Sequence, residues 1–140
     1  MKLRRIIVIG IIIIIVLWLG ITCVSKLGSG IGSTNSPEGT TRAAIMSLEG
    51  KDAAKVAAYF TPIPGALMSS RVNNLYRNIK SLDIQNLNAM LMLNEGAAAR
   101  VEATYDMVFT SSLGQISTEH CQKTIKLVLI EGKWYVNEVF

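Results

Sequence analysis

Few side chains in this chain have chemistry to offer. His120 lies between Glu119 and Cys121, and an imidazole there could act as a general base. Its neighbours at the same phase, Thr118, Gln122 and Thr124, are all polar, which predicts a solvent-facing histidine. Successive side chains of a strand point to opposite faces, so His120 and Cys121 should not chelate one ion together. The chain has one His and two Cys, Cys23 and Cys121. That count predicts neither a metal site nor a disulfide framework. Cys121 reads as a small packing residue.

The carboxylates and tyrosines are more informative. Ala99, Val101, Ala103, Tyr105, Met107 and Phe109 alternate with Arg100, Glu102, Thr104 and Asp106. A strand with one buried and one wet face has this pattern. Glu102 and Asp106 then face water, and Tyr105 faces inward as a donor without a base. Tyr59 and Tyr76 can reach the same interior. Met107, with Met90 and Met92, suits an adaptable apolar cavity, and Trp134 reads as a core anchor. The cavity-lining candidates are therefore Tyr59, Tyr76, Tyr105, Met107 and Trp134. Asp83, at the start of a strand, is expected to be exposed. No catalytic residue and no cofactor is assigned. There is no Ser-His-Asp order, and Gly28-Ser29-Gly30-Ile31-Gly32 does not follow a strand as a phosphate-binding loop must.

These residues need elements to position them. Ser36-Pro37 is a helix start, a capping hydroxyl followed by proline at the first helical position. Ala44, Ile45 and Leu48 form its apolar stripe, and Gly50 ends it. Asp52 caps a second helix with Ala53, Val56, Tyr59 and Phe60 on one side. Thr61-Pro62-Ile63-Pro64-Gly65 breaks it. A third helix carries Met68, Val72, Leu75, Tyr76 and Ile79 at helical spacing. The pattern then changes to strands: Leu82 to Leu93, Ala99 to Phe109, Ile116 to Ile130, and Trp134 to Phe140 after a tight Glu131-Gly132-Lys133 turn. Three helices followed by a four-stranded antiparallel meander predict an α+β domain over residues 37–140, with the helices on one face of a curved sheet.

Ahead of it, residues 6–24 are nineteen uncharged positions, IIVIGIIIIIVLWLGITCV. As a helix they span about 28 Å, close to the thickness of a bilayer core. Lys2, Arg4 and Arg5 precede them and Lys26 follows. The positive-inside bias predicts residues 1–5 in the cytoplasm and the domain outside, with the lipid bilayer as the partner of residues 6–24. Trp18 suits the outer interface. A cleaved signal, cut after Ser25, is an alternative. Lipidation at Cys23 is another, although Gly20-Ile21-Thr22-Cys23 departs from a lipobox. Residues 25–36 are a Gly/Ser-rich tether.

The net charge of +4 belongs to the amino-terminal part, because residues from Pro37 onward carry ten Lys/Arg and ten Asp/Glu. Nucleic-acid binding needs clustered positive charge on the domain and is not expected.

Two stretches resemble the nuclear transport factor 2-like superfamily, and in particular its bacterial extracytoplasmic, membrane-anchored or lipoprotein-type domains of unknown function. One is Pro37 through Phe60, with Glu49-Gly50-Lys51-Asp52 between its helices. The other is Leu127-Val128-Leu129-Ile130-Glu131-Gly132-Lys133-Trp134-Tyr135-Val136. The resemblance implies a cone of helices against a bent sheet, and a homodimer through the sheet face. It also frames three functions. The first is a non-enzymatic tethered module for a protein partner or small apolar ligand. The second is an isomerase or dehydratase similar to ketosteroid isomerase, which needs an acid inside the cone. The third is an inner-membrane assembly subunit similar to those of type IV secretion machines. Fold alone does not choose among them.

Overall fold

A computed structural model of the chain describes residues 35–140. The expected tail at 1–5, the membrane span at 6–24 and the tether, apart from Asn35 and Ser36, lie outside the described residues. Among the described residues, no helix is long and apolar enough to cross a membrane.

Helix α1 runs Pro37–Met46 from the expected cap, with Ser36 Oγ accepting the Gly39 N–H at 3.0 Å. Thr40, Thr41, Ala43, Ala44 and Ile45 are buried, and α1 packs on the first, second and fourth strands. The two threonines are satisfied inside the core. Thr41 Oγ1 donates to Pro37 O at 2.9 Å, and Thr40 Oγ1 donates to Trp134 O at 3.4 Å. The chain then tightens into a 3-10 turn, Ser47–Gly50, which Lys51 ends in the left-handed region at φ 59°. Asp52 caps α2, Ala53–Ala57, accepting from the Ala54 and Lys55 N–H groups at 3.1 and 3.2 Å.

Besides the end of α1 at Met46, where the sequence reading ran the helix to Gly50, three boundaries differ from that reading. The second helix was expected to reach Phe60. Instead Phe60 leaves it to form a parallel bridge with Val136. Thr61 N–H donates to Val136 O at 2.9 Å and Val136 N–H to Tyr59 O at 2.8 Å. An unpaired strand edge offers donors and acceptors that a fraying helix end can satisfy, and Pro62 disfavours helical backbone at Thr61. Pro62 thus helps to end one helix, and both prolines open the next. Helix α3 is Pro62–Asn78, and both prolines sit in its first turn, where N–H groups have no intrahelical partner. Ile79, expected on this helix, opens the first strand. The third difference is the last strand, which stops at Val136 rather than Phe140. Beyond it the chain turns back over the core, with the Phe140 ring 5.3 Å from that of Phe60.

The sheet is antiparallel in the order β1 (Ile79–Asn94), β2 (Ala98–Ser111), β3 (Ile116–Ile130) and β4 (Lys133–Val136). Glu131 (φ 50°) and Gly132 (φ 79°) form a two-residue turn with both φ positive, whose twist matches the flanking strands. Strand β1 carries register shifts, one of them between Gln85 and Asn88, where Asn86 has φ 53°. This bulge inverts the phase: Leu82 and Ile84 are buried before it and Ala89 after it. The sheet curls into a half-barrel, and the helices close it.

At 16 residues β1 is an edge strand, and its first half is covered by side chains. Lys51 Nζ donates to Lys80 O at 2.6 Å, Arg42 to Leu87 O at 3.3 Å, and the Ile84 N–H donates to Glu49 Oε1 at 2.6 Å. Ile84 is only 7% exposed. Glu49→Ala leaves that amide without a partner and is expected to cost about 1–3 kcal/mol. A lowered urea midpoint at unchanged m-value would show it, and no change would rule out the clamp.

Candidate functional site

A cavity of about 250 Å³ opens between α3 and the inner face of the sheet. On the helical side Met68, Arg71, Val72 and Leu75 reach it from successive turns of α3, joined by Leu48 of the 3-10 turn. On the sheet side it meets Tyr105 and Met107 of β2 and Glu119, Cys121 and Lys123 of β3, and Phe140 closes one end. Register explains the sheet wall. Met107 pairs with Glu119, Tyr105 with Cys121, and Ala103 with Lys123. These pairs share the face that looks toward the helices.

Tyr105 is 2% exposed and Cys121 6%. Burial, followed by the Cys121 group, pushes the Tyr105 phenol far above its ordinary value. Burial and then the Glu119 carboxylate push the Cys121 thiol up as well. Both stay protonated at neutral pH. Since the thiolate is the nucleophile, Cys121 is a poor one, and Tyr105 is a hydrogen-bond donor rather than a base. Glu119 is the one side-chain carboxylate on the lining, and it is solvent-exposed. An acid tuned by apolar surroundings requires burial.

Of the five candidates from sequence, Tyr105 and Met107 line this cavity, while Tyr59, Tyr76 and Trp134 lie outside its lining. Tyr76 turns toward the 3-10 turn. Its hydroxyl donates to Leu48 O and its ring lies under Lys51 Nζ at 5.6 Å. Burial, then the Glu49 carboxylate, raises its pKa. Tyr59 packs partly buried against the core beside the bridge to β4, and Trp134 is a core residue at 6% exposure. Met90 and Met92, also offered as cavity residues, are 51% and 54% exposed. The bulge at Asn86 turns Met90 to the outer face, and Met92 falls at a further register shift between Leu91 and Leu93. Arg71, Glu119 and Lys123 were missed. Glu119 and Lys123 share the phase of Cys121, so the signal was present, but polar neighbours masked it.

The outer face carries a second constellation. Asp106 pairs with His120 across β2 and β3, and their side chains meet at 2.5 Å, Nδ1 to Oδ1. The Asn86 amide donates to the other oxygen, Oδ2, at 2.8 Å. His120 is 72% exposed and Asp106 23%, as expected for the wet face. The Asn86 amide, then the His120 ring, holds the Asp106 carboxyl below the usual carboxylate range. A depressed folded value contributes stability above the unfolded value, near pH 4, and loses it as pH falls through the folded value. The stability gap between the native chain and Asp106→Asn should therefore narrow between pH 5 and pH 2. Urea midpoints at the two pH values measure it, and a constant gap would refute the linkage.

Among the described residues no group of His, Cys, Asp and Glu is placed to hold a metal ion. A smaller cavity of about 190 Å³ lies among the strand ends near Arg100 and Lys126.

No family model matches the chain, and no curated protein matches it. Solved structures do. A protein of Novosphingobium aromaticivorans, named provisionally as a scytalone dehydratase, aligns with a TM-score of 0.60 at 12% identity, over 69% of this chain and 74% of that one. Another from the same organism, named provisionally as an aromatic ring hydroxylase, gives 0.55 at 16% identity, over 69% and 78%. A Xanthomonas campestris protein, named provisionally as a calcium/calmodulin-dependent protein kinase II association domain, gives 0.56 at 16%, over 73% and 85%. At such identities the likeness speaks for architecture alone. With its curled antiparallel sheet closed by preceding helices, the domain of residues 35–140 has the nuclear transport factor 2-like fold.

Proposed function

We propose that the domain is a binding module that takes a small, largely apolar ligand into its cavity, held outside the cytoplasm by a membrane anchor at residues 6–24. The observation that carries the binding is the lining. Leu48, Met68, Val72, Leu75, Met107 and Phe140 supply apolar walls around one buried donor, Tyr105. A pocket lined by apolar groups with a few placed polar ones is the usual form of a small-molecule site. Its size, about 250 Å³, exceeds the roughly 150 Å³ that holds benzene and falls short of drug-sized pockets. The anchor is supported by the sequence of residues 6–24 alone.

An enzyme of the isomerase or dehydratase type is the second reading, favoured by Glu119 standing on the same lining as Tyr105. Its weakness is the exposure of that carboxylate.

Methionine methyl NMR on the full chain, titrated with methyl 3-phenylpropanoate, tests the binding. Met68 and Met107 line the cavity, whereas Met90 and Met92 stand exposed outside its lining. Saturable shifts at the first pair, with the second pair still, support the reading. Shifts at neither pair, or only at Met90 and Met92, would sink it.

A further inference from the structure

We infer that the ligand of this cavity carries a negative charge, held at the mouth by Arg71 and Lys123: a small aryl or alkyl carboxylate. The inference rests on the cavity being a binding site and adds the class of molecule that fits it.

Arg71 arrives from α3 and Lys123 from β3, so the two cations meet the cavity from opposite layers. Long basic side chains can lay their methylenes along apolar walls and keep their charged ends in water. Both residues are exposed, as a place at the opening requires. Among the described residues the one ion pair is Asp106 with His120, on the far side of the sheet. Neither cation of the cavity is engaged in one.

Glu119 is the opposing charge, and the register keeps it apart from Lys123. Cys121 stands between them, with Glu119 opposite Met107 and Lys123 opposite Ala103. Ala103 in turn pairs with Ala89 on β1. The strand row beside Lys123 thus consists of alanines and holds nothing to neutralise it. The β3 wall is negative at one end and positive at the other, and Arg71 adds a second cation. Two cationic side chains against one side-chain carboxylate favour an anionic head on the ligand. The domain as a whole is formally neutral from Pro37 onward, so this surplus belongs to the site.

A guanidinium is a planar fork matched to carboxylate geometry, and an ammonium adds a point charge. A bare inorganic anion would leave the apolar walls unused. A molecule with one ring or a short chain and a carboxylate uses both parts.

Comparing 3-phenylpropanoate with its methyl ester on the full chain at pH 7 isolates the charge, because the apolar body is shared. Exposed pairs are worth little each, so the acid is expected to bind roughly three- to tenfold more tightly. That preference should shrink with added salt. In the double variant Arg71→Gln, Lys123→Gln it should vanish, with acid and ester then binding alike. Equal affinities in the native chain would overturn the charge inference and leave the cavity reading intact. A preference that survives the double variant would also overturn it. If neither compound moves the Met68 and Met107 methyl signals, the cavity reading itself fails.

Discussion

Replacing Trp134 with alanine is expected to lower the stability of the domain by about 3–5 kcal/mol, the usual range for deleting a buried large aromatic. Trp134 is 6% exposed on β4, a strand of only four residues, Lys133–Val136. So short a strand has few ladder bonds of its own. Its place depends on Trp134 and Val136 entering the core, and on the bridge from Val136 to Phe60. Losing the indole also loosens the backbone whose carbonyl accepts from the buried Thr40 hydroxyl. For a domain whose total stability is on the order of 5–15 kcal/mol, the loss would lower the melting temperature by roughly 15–30 °C. Leu129, paired with Trp134 across the hairpin but 37% exposed, is the control. Leu129→Ala should cost about 1 kcal/mol or less. Equal effects from the two substitutions in urea melts would mean that Trp134 does not anchor the core.

The second large effect concerns binding. Cys121→Phe should reduce the affinity for methyl 3-phenylpropanoate by more than about tenfold while the domain stays folded. The side chain lies on the sheet wall between Glu119 and Lys123 and points into the open volume. A cavity of roughly 150 Å³ is enough for benzene, so an added ring takes up more than half of the 250 Å³ present. Filling a void differs from overpacking a tight core, and the stability change should stay within about 1–3 kcal/mol. Met107→Trp enters the same space from β2 and provides a second route should the first variant fold poorly. Undiminished binding in a folded variant of either kind would place the ligand elsewhere.

Exposure separates the polar groups of the lining. Tyr105 and Cys121 are buried and held protonated, while Glu119, the carboxylate of the lining, stands in water. The polar groups buried in the lining are thus donors, and its side-chain carboxylate is exposed. That balance is why binding is preferred to chemistry here.

Much of this architecture was legible in advance because its signals are local. The cap at Ser36-Pro37, the Asp52 cap, the alternation from Ala99 to Phe109 and the Glu131-Gly132 turn each depend on residues a few positions apart. So does the outward phase of Asp106 and His120. What was misread depends on partners far away. Phe60 left its helix for Val136, 76 positions on. The prolines at 62 and 64 look alike as breakers or as starters until the preceding segment has a place to go. The bulge at Asn86 inverted the phase of β1 and put Met90 outside, and a further register shift between Leu91 and Leu93 takes in the exposed Met92.

By itself, the order of residues determined the α+β class, the four antiparallel strands and the inward face of β2, since helix and strand periods and turn chemistry act over short range. Which inward residues line an open space was decided only in three dimensions. Tyr76 and Tyr105 look equivalent on paper, yet one is drawn to the Leu48 carbonyl and the other faces the cavity beside Cys121. Strand pairing also set Glu119 and Lys123 on either side of that thiol and brought Arg71 across from another layer. A cavity is the volume that packing leaves unfilled, and that volume is a property of all its walls together.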